Sequence, residues 1–321
     1  MNTGPWHEQA VTLIHQAVLA PSSHNTQPWR FRISTSTIDL YADRTRALPV
    51  NDPADRELTI SCGCALFNLC VGAAGIGLLA QVQLLPAPHE PDWLARVAFT
   101  GGPEDAGVDA SLARFIPMRR TYRKRFAPRE VDAAVLAEMI DAARSESTWL
   151  LPLVTPEARQ QAASLVAEGD AAQWTDVSWR HELAAWMHPP RRGDGLTVSA
   201  LMGPVVRAVV RAFDLGGSVG AKDSDLAEAS PLLLVLGTEH DDPATWLAAG
   251  QALQRVLLTA CKHGLQASYL NQPVQVAPLR SKLRNLIGVG FPQIFLRIGY
   301  PASEIAPAPR REVAAVIDTA V

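Results

Sequence analysis

Residues 21 to 29 read PSSHNTQPW and crowd hydroxyls, an imidazole and two carboxamides between a helical and a β-type segment. Short polar side chains and loop N–H groups can converge there on an anion or on the edge of a heterocycle. The plainer reading is a turn capped by Ser22 and Asn25. Residues 119 to 126, RRTYRKRF, set Arg119, Arg120 and Arg123 around Thr121 just ahead of a helical stretch. Guanidinium forks match phosphate oxygens, so this is a second candidate anion cradle; solvated linker charge is its alternative. A third basic group, Arg310 with Arg311, follows a strand and the Pro-rich turn IGYPASEIAPAP.

Other constellations fall away on spacing. His181 and His188 lie seven residues apart around Glu182, which is not the H-E-x-x-H pattern of a zinc helix. Gly72, Gly75 and Gly77 sit inside a helical run instead of after a strand, so they are no dinucleotide fingerprint. Arg192-Gly193-Asp194 reads as a hinge turn, and Ser22 or Ser23 with His24 lacks the glycines of a nucleophile elbow. Cys62, Cys64 and Cys70 share one apolar segment with no His or second Cys pair at zinc spacing, so no metal is expected.

These residues need a scaffold, and 321 residues with 48% hydrophobic and 19% charged side chains can supply a large core. A net charge of −3 leaves no basic face for nucleic acid. MNTGPWHEQA has neither a basic n-region nor an apolar h-region, so a cytoplasmic location is expected. From Thr59 to His89 there is no Asp, Glu, Lys or Arg, which raises the question of a membrane span. Asn68, Gln81, Gln83 and four glycines favour a buried helix over about Ser61 to Leu79, then a short strand QVQLL.

At an offset of 187 residues, GCALFNLCVGAAGIGL falls on GQALQRVLLTACKHGL, matching Gly63 with Gly250, Leu66 with Leu253 and Gly77 with Gly264. The later copy carries Arg255, Lys262 and His263, so the shared pattern is a core helix ending at a glycine, with no membrane span expected. Each copy is preceded by an amphipathic helix, a loop, a Trp and a strand, and closed by a strand: LARVAFT in one, QIFLRIGY in the other. An internal duplication is expected. Copy two has 101 residues from Trp149 to Gly250 where copy one has 34 from Trp29 to Gly63, an excess of 67. This insertion, about 160 to 226, holds AAQWTDVSWRHELAAWM, LMGPVVRAVVRAF and the hinge HPPRRGDG with Pro189, Pro190, Gly193 and Gly195. It reads as a lid, or as padding for the core.

The chain resembles the nitroreductase-like FMN-binding family, and within it the Acg-type NAD(P)H nitroreductases. PSSHNTQPWRF, RRTYR, GLQASYLNQP and LRNLIGVGFPQIFLRIGYP with its trailing Arg-Arg carry the resemblance over nearly the whole chain. It implies an FMN site built from Pro21, Ser22, Ser23, Asn25 and Gln27 of copy one. Copy two would add Arg119, Arg120, Thr121, Arg123, Gly264, Leu265, Arg310 and Arg311. The flavin N5 would lie near Leu270, Asn271 and Gln272, where relatives often have an acidic residue and Gly. That family works as a dimer with two sites. Here the reciprocal loop reads RSESTW and MNTGPWHEQ holds no Arg, so the resemblance implies a single-chain pseudo-dimer with one FMN.

The expectation is an α+β, internally duplicated nitroreductase-like fold with halves 1–117 and 118–321. Its expected activity is FMN-dependent, NAD(P)H-linked hydride transfer to a nitroaromatic, a quinone or another small-molecule acceptor. The rival expectation is a flavin-sequestering protein whose lid blocks NAD(P)H. One chain suffices for the site on either reading.

Overall fold

The computed structural model describes residues 4–101, 109–189, 193–199, 202–212, 216–228 and 230–318. The first helix, α1 (Pro5–Ala17), takes Pro in its first turn and buries Ala10, Leu13, Ile14 and Ala17 at helical spacing. Strands β1 (Trp29–Ile33), β2 (Thr37–Ala42), β3 (Leu78–Leu84) and β4 (Trp93–Gly101) form an antiparallel sheet in the order β1-β2-β4-β3. Between β2 and β3 runs α2 (Arg56–Gly75).

The later elements follow the same order. After α3 (Ala133–Arg144) comes β5 (Trp149–Pro152), then α4 (Pro156–Thr175), α5 (Val177–Ala185), β6 (Met187–His188), β7 (Leu196–Thr197), α6 (Gly203–Ala212) and α7 (Gly216–Glu228). Next come β8 (Leu232–Thr238), α8 (Pro243–Lys262), β9 (Gln266–Tyr269), α9 (Gln272–Gln275), α10 (Ala277–Ile287) and β10 (Phe291–Gly299). The second large sheet is ordered β5-β8-β10-β9 and is also antiparallel. The class is α+β, and each sheet places its four strands in the same sequence of positions.

α2 and α8 pack against each other between the sheets. α2 corrects the expected span of Ser61 to Leu79: it starts at Arg56, because two charged residues in its first turn are buried with distant partners. It stops at Gly75, because Gly77 takes a φ of +76° and β3 begins at Leu78. Gly264 ends α8 the same way at +75°. By length and composition α2 could cross a membrane, but 89% of its apolar window is buried inside the fold. α8 is started by a capping box in which Asp242 accepts from Thr245 N and the Thr245 hydroxyl accepts from Asp242 N.

Strand alternation sends Leu234 and Leu236 of β8 into the main core and Leu233 and Val235 to the opposite face. α4 and α10 cover that face with Ala162, Leu165, Val166, Leu279 and Leu283. The expected single helical run AAQWTDVSWRHELAAWM breaks at Asp176, whose carboxylate caps α5 by accepting from Ser178 N and Trp179 N. Trp174 and Trp179 then meet edge to face at 5.5 Å within a small cluster shared with Ala184 and Val210. The C-terminal tail returns to the first half, where Phe31 N donates to Val316 O (2.7 Å) and Asp318 N to Phe31 O (2.8 Å).

Candidate functional site

The loop after α1 is held in a conformation that few sequences tolerate. His24, Asn25 and Gln27 have φ of +48°, +55° and +53°. Its own polar groups hold it there. Ser22 Oγ accepts from Gln27 N at 2.9 Å, and Ser23 Oγ donates to Glu57 Oε2 at 2.5 Å. Asn25 Nδ2 donates to Gly195 O (3.3 Å) and Pro309 O (3.2 Å), and Gln27 Nε2 donates to Gly193 O (2.8 Å). Pro21 is buried beside them.

Onto this loop comes the tail. Arg310 donates to Leu19 O at 3.1 Å, Ala20 O at 3.2 Å and Asn25 Oδ1 at 3.3 Å. Arg119, 6% exposed, makes one long contact to Leu19 O at 3.4 Å. Neither guanidinium has a carboxylate partner among the described residues. Arg119 Nε, Arg310 Nε, the Tyr269 hydroxyl and His24 Nδ1 are buried without a hydrogen-bond partner there. Such groups are costly to leave unpaired, and here most of them are donors around shared positive charge.

The electrostatics record that crowding. Burial, then the charges of Arg119 and Arg120, push Arg310 down to about 9. Burial also lowers Arg119 and Arg123, and it raises Tyr269 against the pull of the surrounding arginines. His24 is pushed down to about 4 by burial and by the Arg123 charge. Arg123 as a whole residue is exposed, and its guanidinium has no partner among the described residues.

Other sequence-predicted residues stand differently. Arg120 turns back on its own chain, donating to Pro117 O (2.6 Å) and Arg119 O (2.9 Å), while Thr121 bridges to Ala267. Arg311 diverges from Arg310: it donates to Gln27 O (3.0 Å) and Ala315 O (2.7 Å) and lies 3.7 Å from Asp43. Gly264 ends α8, and the Leu265 side chain is in the core. Leu270 is buried in the second cluster and its N–H donates to Phe295 O at 2.9 Å. Asn271 Oδ1 accepts from Phe295 N at 3.1 Å, and Gln272 Nε2 donates to two aspartates outside the loop.

The sequence reading missed NDPADRE. Glu57, 2% exposed, accepts from Ser23, from Gln275 Nε2 (3.0 Å) and from Asn271 Nδ2 (3.5 Å), with Arg56 at 3.3 Å. Arg56 also donates to Gln293 O (2.6 Å) and Val274 O (3.3 Å). Asp52 accepts from Leu58 N at 2.9 Å, and burial with the Glu57 charge pushes it up to about 6. One signal was available: three charged residues immediately precede or begin a long uncharged run, so the helix that buries the run carries them inward.

The inserted segment also touches the first half. Glu182 accepts from Val50 N and Asn51 N, both at 2.9 Å, and Trp179 Nε1 donates to Asn51 Oδ1 at 2.9 Å. Arg46 pairs with Asp194, which also lies 3.0 Å from His188 Nε2. Of the expected hinge, Gly193 and Gly195 have φ of +71° and +69°, whereas Pro190 and Arg192 lie outside the described residues.

No family model matches the chain. It is 34% identical over 328 residues to "Putative NAD(P)H nitroreductase Rv3131" of Mycobacterium tuberculosis, covering 99% of this chain and 94% of that one. It is 28% identical over 309 residues to "Putative NAD(P)H nitroreductase acg" of the same organism, covering 94% and 92%. It is 26% identical over 341 residues to "Probable NAD(P)H nitroreductase PigM" of a Serratia species, covering 97% and 94%. Among solved structures it is similar to the FMN-dependent nitroreductase NfnB of Mycobacterium smegmatis in complex with NADPH. The TM-score is 0.44 at 17% identity, over 66% of this chain and 99% of that one.

Proposed function

This chain belongs to the NAD(P)H nitroreductase family, and from that membership we propose an FMN-dependent oxidoreductase with one flavin site per chain, moving a hydride from NAD(P)H to a small acceptor. The acceptor class is a nitroaromatic or a quinone. The observation that carries the reading is the set of unpartnered groups around Arg119, Arg310, Tyr269 and His24. A phosphate fits that set: the arginine and tyrosine groups are donors, two charges need neutralising, and no carboxylate among the described residues pairs with either arginine.

On this reading Arg119, Arg123 and Arg310 hold the FMN phosphate, the Tyr269 hydroxyl donates to it, and the left-handed loop from Ser22 to Gln27 packs against the rest of the cofactor. Bound flavin supplies the two-electron chemistry. The chain's own part is to neutralise charge and to position the 270–272 backbone. Glu57, by accepting from both Ser23 and Asn271, joins the loop of the first half to that backbone in the second.

The two halves, 1–117 and 118–321, act as the two subunits of one duplicated unit, so a single cytoplasmic chain completes the site. The insertion between β5 and β8 has two parts: α4 belongs to the core, and α5 to α6 with the 193–195 turn form a lid clasped on Asn51, Arg46 and the loop. The test is to purify the protein with FMN, count flavin per chain, and mix it anaerobically with NADPH. One FMN per chain and bleaching of its visible band are expected; two FMN per chain, none after reconstitution, or no bleaching with any nicotinamide donor would overturn the reading.

A further inference from the structure

One side chain, that of the first residue of α9, joins this helix to α4 and α7. The Gln272 amide nitrogen donates to Asp170 Oδ1 of α4 at 3.2 Å and to Asp223 Oδ2 of α7 at 3.0 Å, one hydrogen for each carboxyl group. The neighbouring contacts are close. A Cβ on Gly169 would stand 2.6 Å from Gln272 Cβ and 3.0 Å from its carbonyl carbon, so α4 lies directly on the Gln272 backbone. One turn further along, Gln173 Nε2 donates to Gln275 Oε1 at 2.7 Å. Asp170 is 3% exposed, its second oxygen has no partner among the described residues, and neither aspartate is in an ion pair there.

We propose that Asp170 and Asp223 are positioning residues that, through the Gln272 amide, clamp the 270–275 segment against α4. This rests on the flavin reading above, in which that segment faces the reactive edge of the cofactor. Gln275 extends the clamp, since its amide also donates to Glu57, which holds Ser23.

Two carboxyl groups on one amide make the clamp sensitive to protonation. Burial, then the Asp223 charge, push Asp170 up to about 7, and burial raises Asp223 as well. The other groups facing the pair are Lys222 beside Asp223 on α7 and Arg297 of β10, whose guanidinium donates to Lys124 O (3.0 Å) and Tyr122 O (3.3 Å). Across the α4–α10 contact, Glu168 is paired with Lys282 at 2.6 Å, and from α5 Arg180 donates to Trp174 O. Because the folded Asp170 holds its proton where the unfolded chain has lost it, folded-state stability falls as pH rises from about 4 to about 7 and levels off above. Ionisation strengthens each carboxylate's bond to the amide but sets two like charges against each other across it, so the geometry of the clamp changes as the pair titrates.

The test compares wild type with Asp170→Asn, which keeps an uncharged group of the same shape, and with Gln272→Ala. On protein stripped of flavin, the wild-type melting midpoint should drop between pH 5 and pH 8 by about 4 °C more than that of Asp170→Asn. On FMN-loaded protein, the visible circular dichroism of the flavin should titrate near neutrality in wild type, stay flat in Asp170→Asn, and be altered at every pH in Gln272→Ala. Equal melting profiles in wild type and Asp170→Asn would overturn the proposal, as would a Gln272→Ala flavin spectrum identical to wild type. If no variant and no wild-type preparation binds FMN, the flavin reading fails while the melting comparison still decides the clamp.

Discussion

Gly63 and Gly250 meet where α2 crosses α8: a Cβ on Gly63 would stand 2.9 Å from Gly250 Cα, and one on Gly250 would stand 2.7 Å from Gly63 Cα. They are the pair that the 187-residue offset superposes. The sequence offset therefore pairs two glycines that stand face to face where the two helices pack.

Replacing either glycine with alanine should cost about 1 to 3 kcal/mol of stability, because a methyl group meets backbone that cannot rotate away. The double variant should cost less than the sum, since helices moved apart for one methyl group make room for the other. Urea unfolding of the three variants checks this.

Arg119→Ala and Arg310→Ala should each weaken FMN binding by about 1.5 to 3 kcal/mol, roughly 10- to 150-fold in Kd, by flavin fluorescence titration. Arg144→Ala, whose side chain is 70% exposed, should leave it unchanged. The flavin-free Arg119→Ala protein should be no less stable than wild type, because that buried cation has no carboxylate to lose.

His24 gives an acid-side signature. Its folded pKa of about 4 lies below the unfolded 6.5, so its contribution is present above pH 6.5 and is lost as pH falls towards 4. His24→Asn keeps a residue that tolerates positive φ and should flatten this part of the stability profile, as read by thermal melts across that range.

How much of this could be read beforehand follows the range of the interactions. Segments such as LARVAFT, QIFLRIGY and the two long core helices showed in the sequence because their periodicity is local, whereas β2, β8 and α10 were not read from it. The start of α2 was missed because Arg56 and Glu57 look like surface charge until Gln293, Val274 and Gln275 are brought to them from more than two hundred residues away. Arg310 and Arg311 are adjacent in sequence and identical in kind. Only the path of the tail decides that one turns to Arg119 and the other to Gln27.

The lid reading has its own test. Asp194→Asn removes the carboxylate that Arg46 and His188 share, and should speed reduction by small artificial donors roughly fivefold, about 1 kcal/mol, with FMN retained. Deleting residues 170–218 should instead give aggregated protein, because it cuts α4 (Pro156–Thr175) short and removes the buried Asp170, Gln173 and Trp174, leaving open what they cover. Stopped-flow reduction and size-exclusion chromatography separate the two outcomes.

Arg310 reaches Asn25 across 285 positions of chain. On the flavin reading, the loop leaves the ribosome about 15 to 60 s before the arginine that would complete its phosphate site. If so, the nascent protein would have to keep a left-handed, polar loop in order with no phosphate to stabilise it, and cofactor capture would follow translation. On the same reading, a chain cut short after β10 would load no flavin, so cofactor content would report on whether roughly the last two dozen residues had been made.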